Sequence, residues 1–420
     1  MKSNPNSIRV LPYLSHFIVV NAIFWGVRIL NWWHFFNFGP MKPDFADLRA
    51  YTSQVTCAQK GIDYLEINCD PWDRSIGLLG VYVPLLKFFN MNESRTAVLG
   101  NSFQLVLFLS IYAVAYALKL DLGKLKNAIL LLLAMTSPPI AIAVERGQFE
   151  IVILVLTILA GFLLYAKKQC FVYLIFGFLS VIKIYPIIVL TLLLANRSIK
   201  KSIRQLLFGF IVLIISSVVI FSAISAQADN LPTSALSVGF FRTFGVTVLP
   251  YISVKFLKDT ELLSANFNFS LMQAHTLGMF FTFFVILIFC FLRIKKKVFG
   301  PNLTPLIEEK SLRSMFILLS LSMVYICYFI VSSYDYRMIY LLPLFLVGLA
   351  EDDREKKSKL TNYFVYGIIF VMWSQVYIWT SVLAQFLILV ALILVLFNIG
   401  PVLQSHYAIP LWVKKNRYFR

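Results

Sequence analysis

Cysteine is scarce in this chain, and several patterns that mark other classes of protein are absent. The five cysteines among 420 residues are too few and too scattered for a disulfide framework or a metal site. The sequence also has no sustained internal repeat, no low-complexity tract and no glycine-rich phosphate loop. These absences argue against a disulfide-stapled domain, a repeat array, and an enzyme that binds a nucleotide through such a loop.

Acidic side chains are few beside basic ones. There are 38 lysines and arginines against 20 aspartates and glutamates, which gives a formal net charge of +18. The basic residues lie in short loops between apolar runs and do not form one patch, so the excess does not indicate binding of nucleic acid. Their distribution instead indicates orientation in a membrane, because lysine and arginine accumulate in cytoplasmic loops.

Apolar side chains make up 59% of the residues, which sets water-soluble folds aside. Only helices satisfy their backbone hydrogen bonds inside lipid over such runs, because alternating polar residues are nearly absent. We therefore predict an all-α integral membrane protein, a multi-pass bundle of about 10–12 transmembrane helices in one domain over 1–420. The first run has no small-residue cleavage site, so we expect an uncleaved signal anchor. The runs lie at 11–31, 97–118, 125–143, 149–166, 171–195, 205–226, 274–292, 313–333, 337–350, 361–379 and 383–399.

The run at 171–195 contains Lys183 and Pro186 and has basic loops at both ends. If it crossed the membrane once, the three most basic segments that follow would lie outside, against the usual bias. We favour a hairpin of two half-helices, broken near Lys183 and Pro186, and keep one long kinked helix as the alternative. With the hairpin, both termini are cytoplasmic. Cytoplasmic segments then hold 25 basic and 7 acidic residues, outer segments hold 11 and 13, and Arg28 and Lys183 lie within the apolar runs.

Two outer loops are long, at about 32–96 and 227–273, and the first is too long to be a simple connector. From Asp44 to about Lys60 the first loop has no proline or glycine and has an amphipathic pattern, which predicts a short helix on the membrane surface. An aspartate at the start of that helix is a candidate base, and a solvated acidic loop is the simpler alternative. Cys57 and Cys69 share this loop and can pair if it faces an oxidising compartment.

Charged residues recur at two further outer turns. Each is explained in the simplest case as an interfacial ion pair. At the tip of a hairpin, however, Lys183 points toward the same outer face, and ionisable groups inside membrane segments usually line a cavity. A cavity with cations at its floor and a carboxylate at its rim suits a phosphate-bearing lipid. The turn residues are Glu145, Arg146 and Glu150 in VERGQFE, and Asp335 and Arg337 in SSYDYR.

Three stretches carry a family resemblance. DLRAYTSQVTCAQKGIDYL at 47–65 has an aspartate, then a tyrosine, then a glycine and a tyrosine about ten residues further on. ERGQ at 145–148 is followed, after two apolar segments, by KIYP at 183–186, and SSYDYRMIYLLPL at 332–344 is a late turn with tyrosine and arginine. Together they resemble the bacterial multi-pass glycosyltransferases of the GT-C class, in particular family 87, whose members use polyprenyl-phosphate-linked sugars.

The resemblance implies an inverting hexosyltransferase, with mannose as one candidate sugar, whose active site is extracytoplasmic in the bacterial cytoplasmic membrane. It implies a polyprenyl-phosphate-sugar donor and a glycan or glycolipid acceptor, and it requires no cofactor or metal. Many relatives have Tyr-Pro-Pro or Asn-Tyr-Pro after the first loop, where this chain offers only Tyr82 and Pro84. The acceptor therefore stays open.

Site residues follow from the resemblance position by position. The base falls on Asp47, with Asp44 as the second candidate, and Lys183 stabilises the departing phosphate together with Arg146 or Arg337. The remaining motif residues are candidate substrate contacts, namely Glu145, Gln148, Tyr51, Asp335 and Tyr336. Two other classes remain as alternatives, a transporter or flippase of lipid-linked sugars and a polysaccharide polymerase.

Overall fold

The structure is a computed structural model, and it is almost entirely helical in the part that it describes. The helices are α1 Val10–Ile29, α2 Ala46–Gln59, α3 Tyr82–Phe88, α4 Thr96–Ala117, α5 Leu125–Met135, α6 Pro138–Arg146, α7 Glu150–Tyr165, α8 Gln169–Ile182, α9 Pro186–Ala195, α10 Ile203–Ala226, α11 Leu271–Ile294, α12 Leu312–Phe329, α13 Leu342–Asp352, α14 Lys359–Trp373 and α15 Val382–Ile393. The described residues are 10–33, 44–62, 82–195, 202–226, 243–246, 250, 253–254, 257–258, 260–264, 271–294, 311–329, 333–352, 359–374, 380 and 382–393.

Short elements join some of these helices. A 3-10 helix, Glu93–Arg95, leads into α4, and a second, Asp335–Leu341, leads into α13. Strand β1, Thr243–Phe244, pairs antiparallel with strand β2, Ser333–Tyr334, with Thr243 opposite Tyr334. This two-residue ladder is a small addition to an otherwise all-α architecture, and it ties the second predicted outer loop to the start of the 335–341 helix.

Four helices are long and apolar enough to cross a membrane by themselves within the described residues: α1, Glu93–Ala117, the Ile203–Ser222 part of α10, and α12. Other apolar runs form helices of 10–17 residues, shorter than the roughly 20 residues that span a hydrocarbon core. The prediction of an all-α, multi-pass membrane protein is confirmed, and many of its apolar segments are short or broken.

The run predicted as one segment at 125–143 is in fact two helices. α5 ends at Met135 and α6 begins at Pro138, with a bend of 50° between them. Pro138 occupies the first position of α6, where its missing N–H is not needed, but neither Pro138 nor Pro139 can donate to a carbonyl of the preceding helix. The sequence SPP at 137–139 therefore causes the break, and the break could have been predicted from these residues.

The chain reverses direction between α8 and α9, as the hairpin interpretation predicts. Tyr173 lies near the start of α8 and Leu194 at the end of α9, and a continuous helix would hold them about 30 Å apart. Both side chains instead contact the same residue, Gly209 of α10. The alternative of one kinked helix is excluded by this contact, and the break falls at Lys183–Tyr185, beside Pro186.

One buried apolar cluster connects the helices from Tyr13 in α1 to Ile393 in α15. A second, smaller cluster joins α2 to the α6–α7 turn. The predicted helix after Asp44 is thus present as α2, but its apolar face, with Leu48 and Val55 fully buried, packs on α3, α4 and α6. Cys57 in α2 is disulfide-bonded, and Cys69, the partner that the sequence analysis considers, lies outside the described residues.

Candidate active site

The turn between α6 and α7 is a helix C-terminus closed by a glycine. Gly147 adopts the left-handed conformation, with φ 65° and ψ 44°. Its N–H donates to the carbonyl of Val144 at 3.3 Å, and the N–H of Gln148 donates to the carbonyl of Ala143 at 2.9 Å. This pair of hydrogen bonds is the Schellman arrangement, which favours glycine at that position. The ERGQ sequence therefore encodes a sharp stop that leaves Glu145, Arg146 and Gln148 at one end of the bundle.

α2 packs directly against that glycine. A Cβ atom at Gly147 would lie 2.8 Å from Cβ of Leu48, so only a residue without a side chain permits this approach. The N–H of Phe45 also donates to the carbonyl of Glu145 at 3.1 Å. Phe45 itself has a left-handed backbone, with φ 60° and ψ 45°, a conformation that a bulky residue holds only where its surroundings impose it. These contacts place the first turn of α2 over the α6–α7 turn.

We expect Gly147→Ala to release α2 from the turn. The new methyl group overlaps Leu48, and the left-handed backbone adds about 1–2 kcal/mol of strain for a residue with a Cβ. Purified variants in detergent should therefore show a lower midpoint temperature of unfolding and faster proteolysis within the α2 region. Gly367→Ala in α14 is the matched control, because a Cβ there meets nothing within 4 Å. Equal stability of the two variants would contradict this account of the turn.

Asp47 lies in the first turn of α2 and is held by the α6–α7 turn. The side-chain amide of Gln148 donates to Oδ2 of Asp47. Nη1 of Arg146 lies 3.8 Å from the same oxygen, and Nε of Arg146 lies 3.9 Å from Oε2 of Glu145. The Asp47 side chain keeps 19% of its surface exposed, whereas that of Glu145 keeps 3%. We call Asp47, Glu145, Arg146 and Gln148 the carboxylate cluster, and its aspartate is the member with the more accessible carboxylate.

A second group of charges forms around Glu150, the first residue of α7. Its Oε1 lies 3.7 Å from Nζ of Lys183 and 3.5 Å from Nε of Arg337. Neither carboxylate oxygen has a hydrogen bond among the described residues, so the contacts are ion pairs. Glu150 is fully buried, while the side chains of Lys183 and Arg337 keep 17% and 9% of their surface exposed. We call these three residues the cation cluster.

The broken segment shapes the wall beside the cation cluster. Tyr185 lies in the break between α8 and α9, and its ring faces the guanidinium of Arg337 at 5.0 Å. The hydroxyl groups of Tyr185 and Tyr340 are 2.7 Å apart, so one of them donates to the other. Because α8 ends at Ile182, the extended backbone at Lys183 carries the ammonium to the level of the first residue of α7. The break thus places a cation where a continuous helix would bury it among apolar neighbours.

Arg28, in the last turn of α1, supports the start of α2. Its guanidinium donates to Oδ1 of Asn101 at 2.7 Å and to Oε1 of Gln104 at 3.3 Å. The same group lies 4.6 Å from the centre of the Phe45 ring and within electrostatic range of Asp44 and Glu145. A cation in an apolar helix is expensive unless it is solvated by such partners. Arg28 therefore braces the strained backbone at Phe45.

The structure brings most of the predicted site residues together. Asp47, Glu145, Arg146 and Gln148 form one cluster, and Lys183 and Arg337 belong to the other. Asp44 is exposed at the edge of α2, and Tyr51 is buried with its ring 4.4 Å from that of Phe149. The side chains of Asp335 and Tyr336 lie outside the described part of the structure.

Sequence reasoning missed the roles of two residues that hold the site. Glu150 was noted in the VERGQFE turn but was not assigned to the site, although it joins Lys183 to Arg337. Arg28 was counted only as a charge within an apolar run. In each case the available signal was an ionisable residue at the first or last turn of a membrane helix, which usually marks a cavity or a partner.

The two clusters are anchored on one short turn. Gln148 of the carboxylate cluster and Glu150 of the cation cluster are two residues apart, so their Cα atoms are separated by about 7 Å at most. The arrangement presents a carboxylate and a pair of cations close together at one end of the bundle.

Residues 94–298 match the family model of glycosyltransferase family 87. This part, which is 205 of the 420 residues, is similar to that family. The match confirms the family resemblance and identifies a membrane glycosyltransferase. It includes the α6–α7 turn and Lys183 but not α2, with Asp47, or Arg337, which lie outside 94–298. Neither the curated proteins nor the solved structures contain a match to the chain.

Proposed function

We propose that this family 87 glycosyltransferase moves a sugar from a polyprenyl-phosphate carrier to a glycan or glycolipid acceptor, with inversion at the anomeric carbon. The observation that carries the proposal is that one short turn, between α6 and α7, holds both Asp47 of α2, through Gln148, and the two-cation cluster, through Glu150. An inverting displacement needs a base on one side of the sugar and charge stabilisation of the leaving group on the other.

Asp47 is the proposed general base. Its carboxylate is accessible yet oriented by Gln148 and Arg146, whereas Asp44 lies at the exposed edge of the helix. A base works when its lone pair is held within hydrogen-bond reach of the acceptor hydroxyl, so orientation favours Asp47. On this proposal Arg146 and Gln148 act on the substrate through Asp47, and Glu145 positions Arg146.

Lys183 and Arg337 are the proposed contacts of the donor phosphate. The side chain of Lys183 keeps 17% of its surface exposed and that of Arg337 keeps 9%, with Nε and Nη1 of Arg337 buried, and Glu150 holds both cations. Lysine meets phosphate as a point charge, and arginine adds a planar fork of donors. As negative charge develops on the leaving phosphate, its attraction to the two cations grows, which is the condition for lowering the barrier. Tyr51, Asp335 and Tyr336 remain proposed substrate contacts.

The proposed setting is the outer side of a bacterial cytoplasmic membrane, with both termini in the cytoplasm. The reversal between α8 and α9 supports it, because the end of α9 at Ala195 then returns to the side of the basic residues Lys167 and Lys168, which precede α8. The disulfide at Cys57 supports an oxidising environment for α2. A hexose, with mannose as one candidate, is the proposed sugar.

The proposal is tested by transfer of label from a panel of polyprenyl-phosphate sugars in membranes that contain the full-length chain. We expect one donor to give a labelled glycan or glycolipid, with inverted configuration, in the absence of nucleotide sugar. Membranes from cells without the protein give the background. Activity only with a nucleotide sugar, or only with a pyrophosphate-linked oligosaccharide, would refute the proposed donor.

A transporter or flippase of lipid-linked sugars remains the second candidate. The observation in its favour is that two membrane segments are broken, α5–α6 by 50° and α8–α9 by a reversal, and paired broken helices are common in transporters. If the purified protein moves a lipid-linked sugar across the membrane of liposomes without forming a glycosidic bond, a transport function is favoured over sugar transfer.

A further inference from the structure

The cation cluster contains a carboxylate that a simple phosphate-binding site does not need. Glu150 lies between Lys183 and Arg337, at 3.7 and 3.5 Å, and is fully sealed from solvent. A ligand approaching from solvent can therefore reach the side chain of Lys183, which is 17% exposed, and the remaining 9% of that of Arg337, but not the carboxylate. Counted by themselves, these three side chains carry two positive charges and one negative charge, a net charge of +1.

The proposed donor and the proposed product differ in charge at this site. A sugar linked to a polyprenyl phosphate is a phosphodiester and carries one negative charge. In the displacement, the acceptor oxygen bonds to the anomeric carbon as the bond from that carbon to the phosphate oxygen breaks. The bonding pair stays on the phosphate oxygen, and the hydroxyl proton passes to Asp47. The product is then a phosphomonoester, whose second pKa of about 6 leaves it close to doubly charged at pH 7.

We propose that Glu150 sets the charge selectivity of the site, so that it accepts a phosphodiester and releases the phosphomonoester. This inference rests on the proposed function and concerns the same site. By cancelling one of the two positive charges, Glu150 lets the cluster match a singly charged donor and weakens its hold on the doubly charged product. The same property disfavours pyrophosphate-linked donors, which carry two negative charges. Glu150 is thus a specificity-determining residue that acts through Lys183 and Arg337.

Binding of two lipid probes tests the inference without turnover. The probes are a short-chain prenyl phosphate, a monoester, and its methyl ester, a diester, each titrated into the purified full-length protein in detergent at pH 7.5. The measured quantity is the ratio of the monoester affinity to the diester affinity. We expect Glu150→Gln to raise this ratio by about tenfold, because one unit of positive charge is uncovered a few Å from the phosphate.

A charge-restoring double variant is the matched control. Lys183→Gln removes one cation and should lower the ratio, and Glu150→Gln with Lys183→Gln returns the three-residue net charge to +1. The double variant should therefore show a ratio close to that of the unaltered protein, with weaker binding of both probes. If Glu150→Gln alone does not fold, the Lys183→Gln single and double variants still differ by the same unit charge, and the double variant must have the higher ratio.

The outcomes distinguish failure of the role of Glu150 from failure of the proposed phosphate site. An unchanged ratio in both comparisons, with binding of both probes weakened by Lys183→Gln, would overturn the role of Glu150 and leave the proposed transfer standing. If neither probe binds in a way that depends on Lys183, the proposed phosphate site is wrong, and this inference fails with it. A ratio that follows the charge count through all four proteins supports the inference.

Discussion

Replacing Asp47 with asparagine is expected to lower sugar transfer by about 10²- to 10⁴-fold, the usual contribution of a general base. Asparagine keeps the shape of the side chain and can still accept a hydrogen bond from Gln148, so α2 should stay in place. The variant loses its ion pair with Arg146, which spans 3.8 Å at a partly exposed site and contributes at most about 1 kcal/mol to stability. The measurement is the initial rate of transfer to acceptor, with donor saturating.

Asp44→Asn is the matched control for that experiment. Asp44 lies three residues before Asp47 and is exposed, so we expect the rate of Asp44→Asn to stay within a few-fold of that of the unaltered protein. Thermal unfolding of all three proteins in detergent separates lost chemistry from lost structure. Full activity of a folded Asp47→Asn variant would remove Asp47 as the base, and loss of activity only in Asp44→Asn would transfer the role to Asp44.

Lys183→Gln is expected to lower kcat/KM for the donor by about 10²- to 10³-fold, as for removal of one preorganised contact to a developing negative charge. The expected loss lies in kcat as well as in KM, because the charge on the phosphate grows as the bond breaks. Glu150 keeps its ion pair with Arg337 in this variant, 3.5 Å from Nε, so no buried carboxylate is left without a cation. Steady-state kinetics over a range of donor concentrations gives the two parameters separately.

Lys168→Gln provides the control at the opposite end of the same helix. Lys168 is exposed and precedes α8, whereas Lys183 follows it. The two substitutions remove the same charge, and only the second should change the kinetics. Equal kinetic effects of the two variants would mean that the loss reflects the general charge of the chain and not a contact with the donor.

Local sequence was enough to predict several parts of this fold. The long apolar runs predicted membrane helices, because lipid offers the backbone no partner outside the helix. Pro186 and the basic loops flanking 171–195 predicted the reversal between α8 and α9, and the stretch without proline or glycine after Asp44 predicted α2. The prolines at 138 and 139 predict the bend at Pro138 equally well, although the sequence analysis treats 125–143 as one run.

The composition of the candidate site was also largely visible in advance. Charged residues within or beside apolar runs are expensive there, so Arg146, Lys183 and Arg337 could be selected without a structure, whereas the choice of Asp47 followed from the family resemblance. Which of these charged residues pair with each other could not be predicted from the sequence. The sequence analysis assigns Arg146 to the phosphate contacts, but its described ion pairs are with Asp47 and Glu145. The turn that Gly147 closes places the Arg146 side chain beside α2.

By itself, the sequence determined that the chain is a helical membrane protein, roughly where its helices break, and which ionisable residues sit at their ends. These properties depend on composition and on near neighbours along the chain. Only the tertiary structure decided which cation meets which carboxylate. Glu150 joins Lys183 and Arg337 across 33 and 187 residues of chain, and an ion pair forms where helix packing brings two charges within about 4 Å, whatever their separation in sequence.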